Sequence, residues 1–84
     1  MRKIMKKILV TGVFDILHQE HLKFLTKAKA LGGELVVAIE SDKRVKILKG
    51  SERPINCQTK RKEALEALGL IDRVIILPEK FNQP

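Results

Sequence analysis

Two histidines three residues apart, His18 and His21, are the residues of this sequence best suited to chemistry on a phosphate. On a helix they share one face, and in its first turn the backbone N–H groups and the helix dipole attract anions. Protonated imidazoles there would stabilise the charge that builds up on a phosphate in a transition state. Taken alone, the pair is more simply explained by one histidine bonded to the backbone and one at the surface.

The residues before the histidines favour the phosphate-binding alternative. An apolar run over 8–10 stops at Gly12, and a short turn then carries Asp15 into the predicted helix. This order of strand, turn and helix start suits the binding of a phosphate chain. A zinc site is less favoured, because two histidines need a third ligand and only Asp15, Glu20 or the distant Cys57 are available. We therefore predict no metal ligand set in the protein itself.

The elements that must position these residues alternate between strands and helices. We predict strands at 7–12, 34–40 and 73–77, and helices at 18–31, from 41–42 to about Leu48, and at 58–68. Asn56 is the expected N-cap of the last helix. The strands are continuously apolar, as expected when both faces of a sheet are covered. The order β-α-β-α-α-β implies a parallel, Rossmann-like sheet, half of a doubly wound α/β domain, with ligands at the carboxyl ends of its strands.

Composition narrows the class of protein. The 84 residues are enough for one small domain, 1–84, and 17 basic against 10 acidic residues give a net charge of +7. A positive field favours nucleotides, phosphorylated metabolites or nucleic acid as partners. Nucleic acid is the weakest of these, because there is no Trp or Tyr and only three Phe for base stacking. The lone Cys57 and the absence of an apolar run of about 20 residues lead us to expect a cytoplasmic protein without a membrane span.

Residues 12–21, Gly-Val-Phe-Asp-Ile-Leu-His-Gln-Glu-His, resemble the His-x-Gly-His signature of the cytidylyltransferase-like nucleotidyltransferases. The likeness continues in order along nearly the whole chain, through residues 30–32, 40–42, 48–50, 53–56, 61 and 71–74. The subgroups that the sequence most resembles are the sugar-phosphate (heptose-phosphate type) adenylyltransferases and the glycerol-3-phosphate cytidylyltransferases.

The resemblance implies transfer of CMP or AMP from CTP or ATP to a phosphorylated small molecule, with release of pyrophosphate and with Mg²⁺ arriving on the triphosphate. It implies that His18 and His21 stabilise the α-phosphate, that Lys49 reaches the phosphates, and that Arg61 faces the site from the following helix. The implied nucleotide pocket is lined by Gly12, Val13, Phe14 and Asp15. Lys49 and Arg61 are explained equally well as solvated members of basic runs, and Asp15 is alternatively a brace of its turn.

Glu20 is the sharpest departure from the family pattern, because it stands where the signature has glycine. A side chain there adds bulk and negative charge beside the expected phosphates. We predict that Glu20 sharply lowers nucleotide affinity and turnover, and that Glu20→Gly raises them. Val13 is a milder departure, since several relatives carry a hydroxyl or thiol that can meet phosphate there.

The end of the sequence is the third departure. The family continues with another helix and strand and a Ser/Thr-rich motif that grips the triphosphate, and nothing after Leu77 matches it. We expect a fragment or a remnant with weak turnover on its own. The alternative to an enzyme is therefore a catalytically degenerate nucleotide-binding or assembly module. An exposed sheet edge would also allow a homodimer.

Overall fold

A computed structural model describes residues 6–78, and within them the predicted order β-α-β-α-α-β is confirmed. The three strands and three helices of this part of the chain are β1 (Lys7–Gly12), α1 (Gln19–Ala30), β2 (Glu34–Ile39), α2 (Asp42–Lys49), α3 (Gln58–Glu66) and β3 (Arg73–Ile76). The bounds differ from the predicted ones by at most two residues, which is the usual uncertainty at the ends of helices and strands.

The strands form one parallel sheet in the order β1-β2-β3, with Val10 beside Val37 and Val37 beside Val74. The Rossmann-like partial fold predicted from the apolar runs is therefore confirmed. The described strands lie in sequence order, so no reversal of strand order occurs among them. The carboxyl end of β1, where the histidines follow, lies at one edge of this sheet.

The core lies between one face of the sheet and two helices. Alternate strand residues, among them Val10, Val37 and Val74, pack with Leu25 of α1 and Leu65 of α3 in a single cluster. These five side chains are at most 8% exposed, so this face is close-packed. The helices α1 and α3 are thereby fixed against the sheet, and the turns that precede them are fixed at its carboxyl end.

The opposite face of the sheet departs from expectation. From the continuously apolar strands we expected both faces of the sheet to be covered. Leu9, however, which points away from the core cluster, is 61% exposed. Val36 and Ile75 on the same face are half-buried. Ala38 on this face is buried, and Val45 of α2 is buried outside the core cluster, so within residues 6–78 this face is only partly covered.

The start of α3 also differs from the prediction. Its N-cap is Cys57, which makes no side-chain capping bond, whereas Asn56 was expected to cap the helix. The Asn56 side chain instead donates to the backbone oxygen of Asp15 at 2.8 Å. Asn56 thus ties the α2–α3 loop to the β1–α1 turn, and that long-range contact takes the place of a local cap.

The amino end of the sheet is closed by ionic contacts. Asp72, just before β3, accepts the backbone N–H of Leu35 at 2.7 Å and the Nζ of Lys29 at 2.8 Å. Lys29 also donates to the Gly33 carbonyl at 3.1 Å. These bonds join the end of α1 to the starts of β2 and β3. No helix in the described part of the chain is long and apolar enough to cross a membrane.

Candidate active site

An open cleft of about 490 Å³ lies beyond the carboxyl end of β1. The β1–α1 turn forms one wall, His21 of α1 contributes a second, and the end of α2 with the following loop forms a third. The lining residues are Val13, Phe14, Asp15, Ile16, His21, Lys49 and Arg53. Five of them, Val13, Phe14, Asp15, His21 and Lys49, are residues that the sequence predicted for the site.

Phe14 turns the chain from β1 into the cleft. Its φ of 52° lies in the left-handed region, which non-glycine residues seldom adopt. The ring is buried and packs against the His21 imidazole, with centroids 5.3 Å apart. A Cβ on Gly12 would lie 2.8 Å from the Phe14 ring, so glycine at the end of β1 lets this ring pack over the strand. Gly12 therefore shapes the cleft from beneath its floor.

The two histidines cap α1 reciprocally. His18 is the N-cap residue, and its Nδ1 accepts the backbone N–H of Glu20 at 3.2 Å. The Nδ1 of His21 accepts the backbone N–H of His18 at 3.3 Å. The two rings lie 4.0 Å apart between centroids, but His18 is the extended residue before α1, so the rings meet across the cap and not on one helix face. The bonds that satisfy the helix end also fix the direction of both rings.

This capping determines which nitrogen of each ring is left for a ligand. A neutral imidazole that accepts through Nδ1 carries its proton on Nε2. Burial, with a smaller contribution from the charge of His18, lowers the pKa of His21 below its ordinary value of 6.5. At neutral pH His21 is therefore a neutral Nε2–H donor, whereas the sequence argument invoked protonated imidazoles. The positive charge that stabilises a bound phosphate must therefore come from residues other than His21.

Asp15 holds the loop that faces the histidines. Its two carboxylate oxygens accept the backbone N–H groups of Ile55 at 2.7 Å and Asn56 at 2.8 Å. Burial would raise the pKa of Asp15, but these two bonds and the charges of Arg61 and Arg53 outweigh it and hold the pKa below 3.8. Asp15 is thus an ionised anchor of the loop as well as a residue of the cleft wall.

Arg61 lies behind the cleft rather than in it. Its side chain is fully buried, and its nitrogens donate to the Asn56 carbonyl at 3.0 Å, the Val13 carbonyl at 2.9 Å and the Asp42 carboxylate at 2.9 Å. The guanidinium therefore ties the β1–α1 turn, the loop and the start of α2 together. A role in nucleotide binding stays a prediction, and these contacts support a positioning role.

Lys49 and Arg53 line the cleft, and their side-chain N–H donors have no hydrogen-bond acceptor in the described part of the chain. Within residues 6–78, neither side chain makes a hydrogen bond, and the nearest anion to either is Asp15, 3.9 Å from Nη1 of Arg53. Sequence reasoning assigned no role to Arg53. Its position four residues after Lys49, within a segment of family resemblance, was the signal that could have indicated one.

Glu20 does not line the cleft. Its carboxylate is 75% exposed and lies 3.6 Å from the Nζ of Lys23, one turn further along α1. Its backbone N–H, in contrast, is part of the histidine cap. The predicted repulsion of nucleotide by Glu20 is not tested by this arrangement, although Lys23 offsets part of its charge.

The described residues contain no group of three or more His, Cys, Asp or Glu side chains placed to hold a metal ion. In the cleft wall only Asp15 offers a carboxylate, and both of its oxygens already accept backbone N–H groups. These residues therefore do not fit a magnesium site built by the protein alone. Mg²⁺ commonly binds through substrate phosphates with several waters retained.

Comparison with known proteins identifies the class that this fold and cleft define. The model of the cytidylyltransferase-like family matches residues 9–81, so the chain belongs to that family of nucleotidyltransferases. Membership implies nucleotide binding, and it confirms the resemblance seen in the sequence.

Two curated relatives show how the chain compares with whole proteins. It is 51% identical over 75 residues to the bifunctional protein HldE of Campylobacter concisus, covering 88% of this chain and 16% of that protein. It is 50% identical over 70 residues to the FAD synthase of Thermococcus sibiricus, covering 83% of this chain and 47% of that one. The chain thus spans less than half the length of either relative.

A solved structure agrees with this placement. The chain matches the crystal structure of a lipopolysaccharide core biosynthesis protein from Thermoplasma volcanium with a TM-score of 0.79 and 34% identity. The match covers 93% of this chain and 62% of that one. The described strands and helices therefore follow the backbone of a known relative almost throughout.

Proposed function

We propose that the cleft binds a nucleoside triphosphate and transfers its nucleoside monophosphate, AMP or CMP, to a phosphorylated small molecule. A phosphate oxygen of the acceptor attacks the α-phosphorus, a new P–O bond forms, and the bond to the β-phosphate oxygen breaks so that pyrophosphate leaves. The protein supplies no nucleophile. Its contribution is the alignment of two anions and the stabilisation of charge on the reacting phosphate.

One observation carries the proposal: His21, Lys49 and Arg53 line one cleft at the carboxyl end of β1, and the His18 ring lies 4.0 Å from that of His21. His18 and His21 expose Nε2 because Nδ1 of each accepts a backbone N–H. Lys49 and Arg53 are the cationic side chains of the cleft lining, and they add what the neutral His21 does not supply. Fixed donors of this kind stabilise the charge that develops on a transferring phosphoryl group.

The other predicted residues shape this arrangement. Phe14 lines the cleft with Gly12 packed beneath its ring, and Val13 and Asp15 form the wall beside the proposed nucleotide. Arg61 holds the wall in place through its bond to the Val13 carbonyl. In this account Mg²⁺ enters as a complex with the triphosphate, whose charge it neutralises when bound.

ATP is the favoured nucleotide and CTP the alternative. FAD contains an AMP unit joined to a flavin phosphate, and the relative named FAD synthase is therefore named for a product of adenylyl chemistry. Sugar phosphates and glycerol phosphate remain the proposed acceptors, and FMN joins them because of that relative.

Pyrophosphate release tests the proposal. The 84-residue chain is incubated with ATP or CTP, Mg²⁺ and one acceptor at a time: a hexose 1-phosphate, a heptose 1-phosphate, glycerol 3-phosphate or FMN. We expect slow, acceptor-dependent release that the variant His18→Asn/His21→Gln abolishes. Nucleotide binding with no release from any acceptor would contradict the transfer reaction.

A degenerate nucleotide-binding module is the second candidate, and Glu20 is the observation that favours it. A glutamate in the first turn of α1 places a carboxylate where the signature has glycine. ATP or CTP binding without turnover, in both the wild type and Glu20→Gly, would support this candidate over the enzyme.

A further inference from the structure

Arg53 differs from Arg61, the other arginine beside the cleft, in the contacts of its guanidinium group. Within residues 6–78 the guanidinium of Arg53 makes no hydrogen bond. Arg61, by comparison, uses Nε, Nη1 and Nη2 on three acceptors. The Arg53 side chain is 47% exposed, and within residues 6–78 its one ionic neighbour is Asp15 at 3.9 Å. That distance is too long for a hydrogen bond, so the five N–H donors of this cleft-lining residue have no acceptor in the described part of the chain.

Asp15 cannot hold Arg53 firmly in this arrangement. Both oxygens of Asp15 are already aimed at the backbone N–H groups of Ile55 and Asn56. A half-exposed ion pair at such a distance contributes little to stability. A phosphate in the cleft would offer Arg53 several strong acceptors and a bidentate geometry, which the occupied carboxylate does not offer.

The backbone on both sides of Arg53 is fixed while its side chain is not. The Arg53 N–H donates to the Gly50 carbonyl at 3.1 Å, and Asp15 anchors the chain two and three residues later. The Asn56 side chain adds a bond to the Asp15 carbonyl. The guanidinium can therefore change partner without movement of the loop that carries it.

We propose that Arg53 leaves Asp15 to bind a phosphate group in the cleft, and that it thereby selects phosphorylated ligands. The inference rests on the proposed function and adds to it a residue that neither the motif nor the family resemblance assigned. The phosphate belongs either to the nucleotide or to the acceptor. In both cases the recognised chemistry is an anionic phosphate, bound by the fork of the guanidinium.

Calorimetric titration of Arg53→Gln with ATP and Mg²⁺, with inorganic pyrophosphate and with glycerol 3-phosphate tests this proposal. We expect affinity for at least one of the three to fall about tenfold or more. A loss confined to ATP and pyrophosphate assigns the phosphate to the nucleotide, and a loss confined to glycerol 3-phosphate assigns it to the acceptor. Arg53→Lys keeps the charge without the fork, so it should recover part of the lost affinity.

Arg73→Gln is the matched control, since Arg73 is exposed at the amino end of β3 and the variant removes the same charge. We expect it to change affinity less than about twofold. If His18→Asn/His21→Gln weakens binding while Arg53→Gln binds as the wild type does, the proposed site stands and the role of Arg53 is wrong. If the wild type binds none of the probes, the proposed function is wrong and this inference falls with it.

Discussion

Each end of the sheet has an aspartate that accepts at least one backbone N–H group and lies near a cation, but the two cations differ in how closely they are bound. At the amino end Asp72 accepts the N–H of Leu35 and also holds Lys29 at 2.8 Å, so the nearby cation is satisfied within the fold. At the carboxyl end Asp15 also accepts two backbone N–H groups. The Nη1 of Arg53, however, stays 3.9 Å from the Asp15 carboxylate. The ion pair at the amino end is satisfied within the fold, whereas the carboxyl end keeps donors available for a ligand.

Arg61 sharpens this comparison, because it shows that the carboxyl end can satisfy an arginine where stability requires it. The largest expected effect is that of Arg61→Ala, which leaves two carbonyls and the Asp42 carboxylate without their partner. The Asp42 side chain is 35% exposed, so the main cost comes from the two carbonyls left without a donor, about 1–3 kcal/mol each. We expect a loss of that size in the free energy of unfolding, measured by urea denaturation.

Arg73→Ala is the control for this prediction, since Arg73 is exposed at the amino end of β3. Its effect should stay below about 1 kcal/mol. Equal losses from the two variants would show that Arg61 is no more than a surface charge.

Acid titration compares the two aspartates directly. The pKa of Asp15 is lowered by backbone N–H groups and cations against the effect of burial, and that of Asp72 by its bond to Lys29 and then by Leu35. A lowered folded pKa contributes stability that is complete above 3.8 and is lost as the pH falls through the folded value. We expect the free energy of unfolding to fall as the pH is lowered from about 5 towards 3.

The aspartate variants identify the source of this loss. Asp15→Asn should cost about 1–3 kcal/mol at pH 7, because one backbone N–H loses its acceptor. Both Asp15→Asn and Asp72→Asn should also show a smaller pH-dependent loss than the wild type. Only Asp15→Asn should weaken nucleotide binding. A wild-type pH profile in Asp15→Asn would contradict the anchoring role of its carboxylate.

Lys49 tests whether an unfilled cation at the carboxyl end serves a ligand. Lys49→Ala should weaken ATP binding about tenfold, because one charged hydrogen bond to phosphate is lost. Lys46→Ala changes a lysine one turn earlier on α2, outside the cleft, and should change affinity less than about twofold. Equal effects in calorimetry would mean that α2 contributes only a general positive field.

Glu20 is expected to give the smallest effect of the series, less than the sharp effect predicted from the sequence, because its carboxylate lies outside the cleft lining and beside Lys23. Glu20→Gly should tighten nucleotide binding about threefold to tenfold by removing a negative charge from the first turn of α1. Glu20→Gln separates charge from bulk and should give most of the gain. Unchanged affinity in both variants, measured by the same titration, would remove Glu20 as an obstacle.

The fold could be predicted because each strand and helix is specified by a short, local pattern in the sequence. The apolar runs ending at Gly12 and before Ser41 specify the strands β1 and β2, and the helical spacing of Leu22, Leu25 and Ala28 specifies α1. The proximity of His18 and His21 follows from the reciprocal cap at the start of α1.

The roles that the sequence did not indicate depend on long-range contacts. The burial of Arg61 requires the carbonyl of Val13, 48 residues away, and Asn56 serves Asp15 rather than α3. A basic run such as 60–62 carries no mark of which member is buried. The under-used donors of Arg53 likewise become visible only when Asp15 is seen to be fully engaged by Ile55 and its neighbour.

Calorimetric titration of the wild type and of His18→Asn/His21→Gln with ATP and with CTP, each with Mg²⁺, tests the central claim most directly. Asparagine is a good N-cap and glutamine suits the reciprocal position, so the double variant keeps the α1 cap while removing both imidazoles. The account predicts nucleotide binding by the wild type and at least about a tenfold loss in a variant that unfolds at the same urea concentration. Equal binding by the two proteins would contradict the assignment of the histidines to the phosphate site.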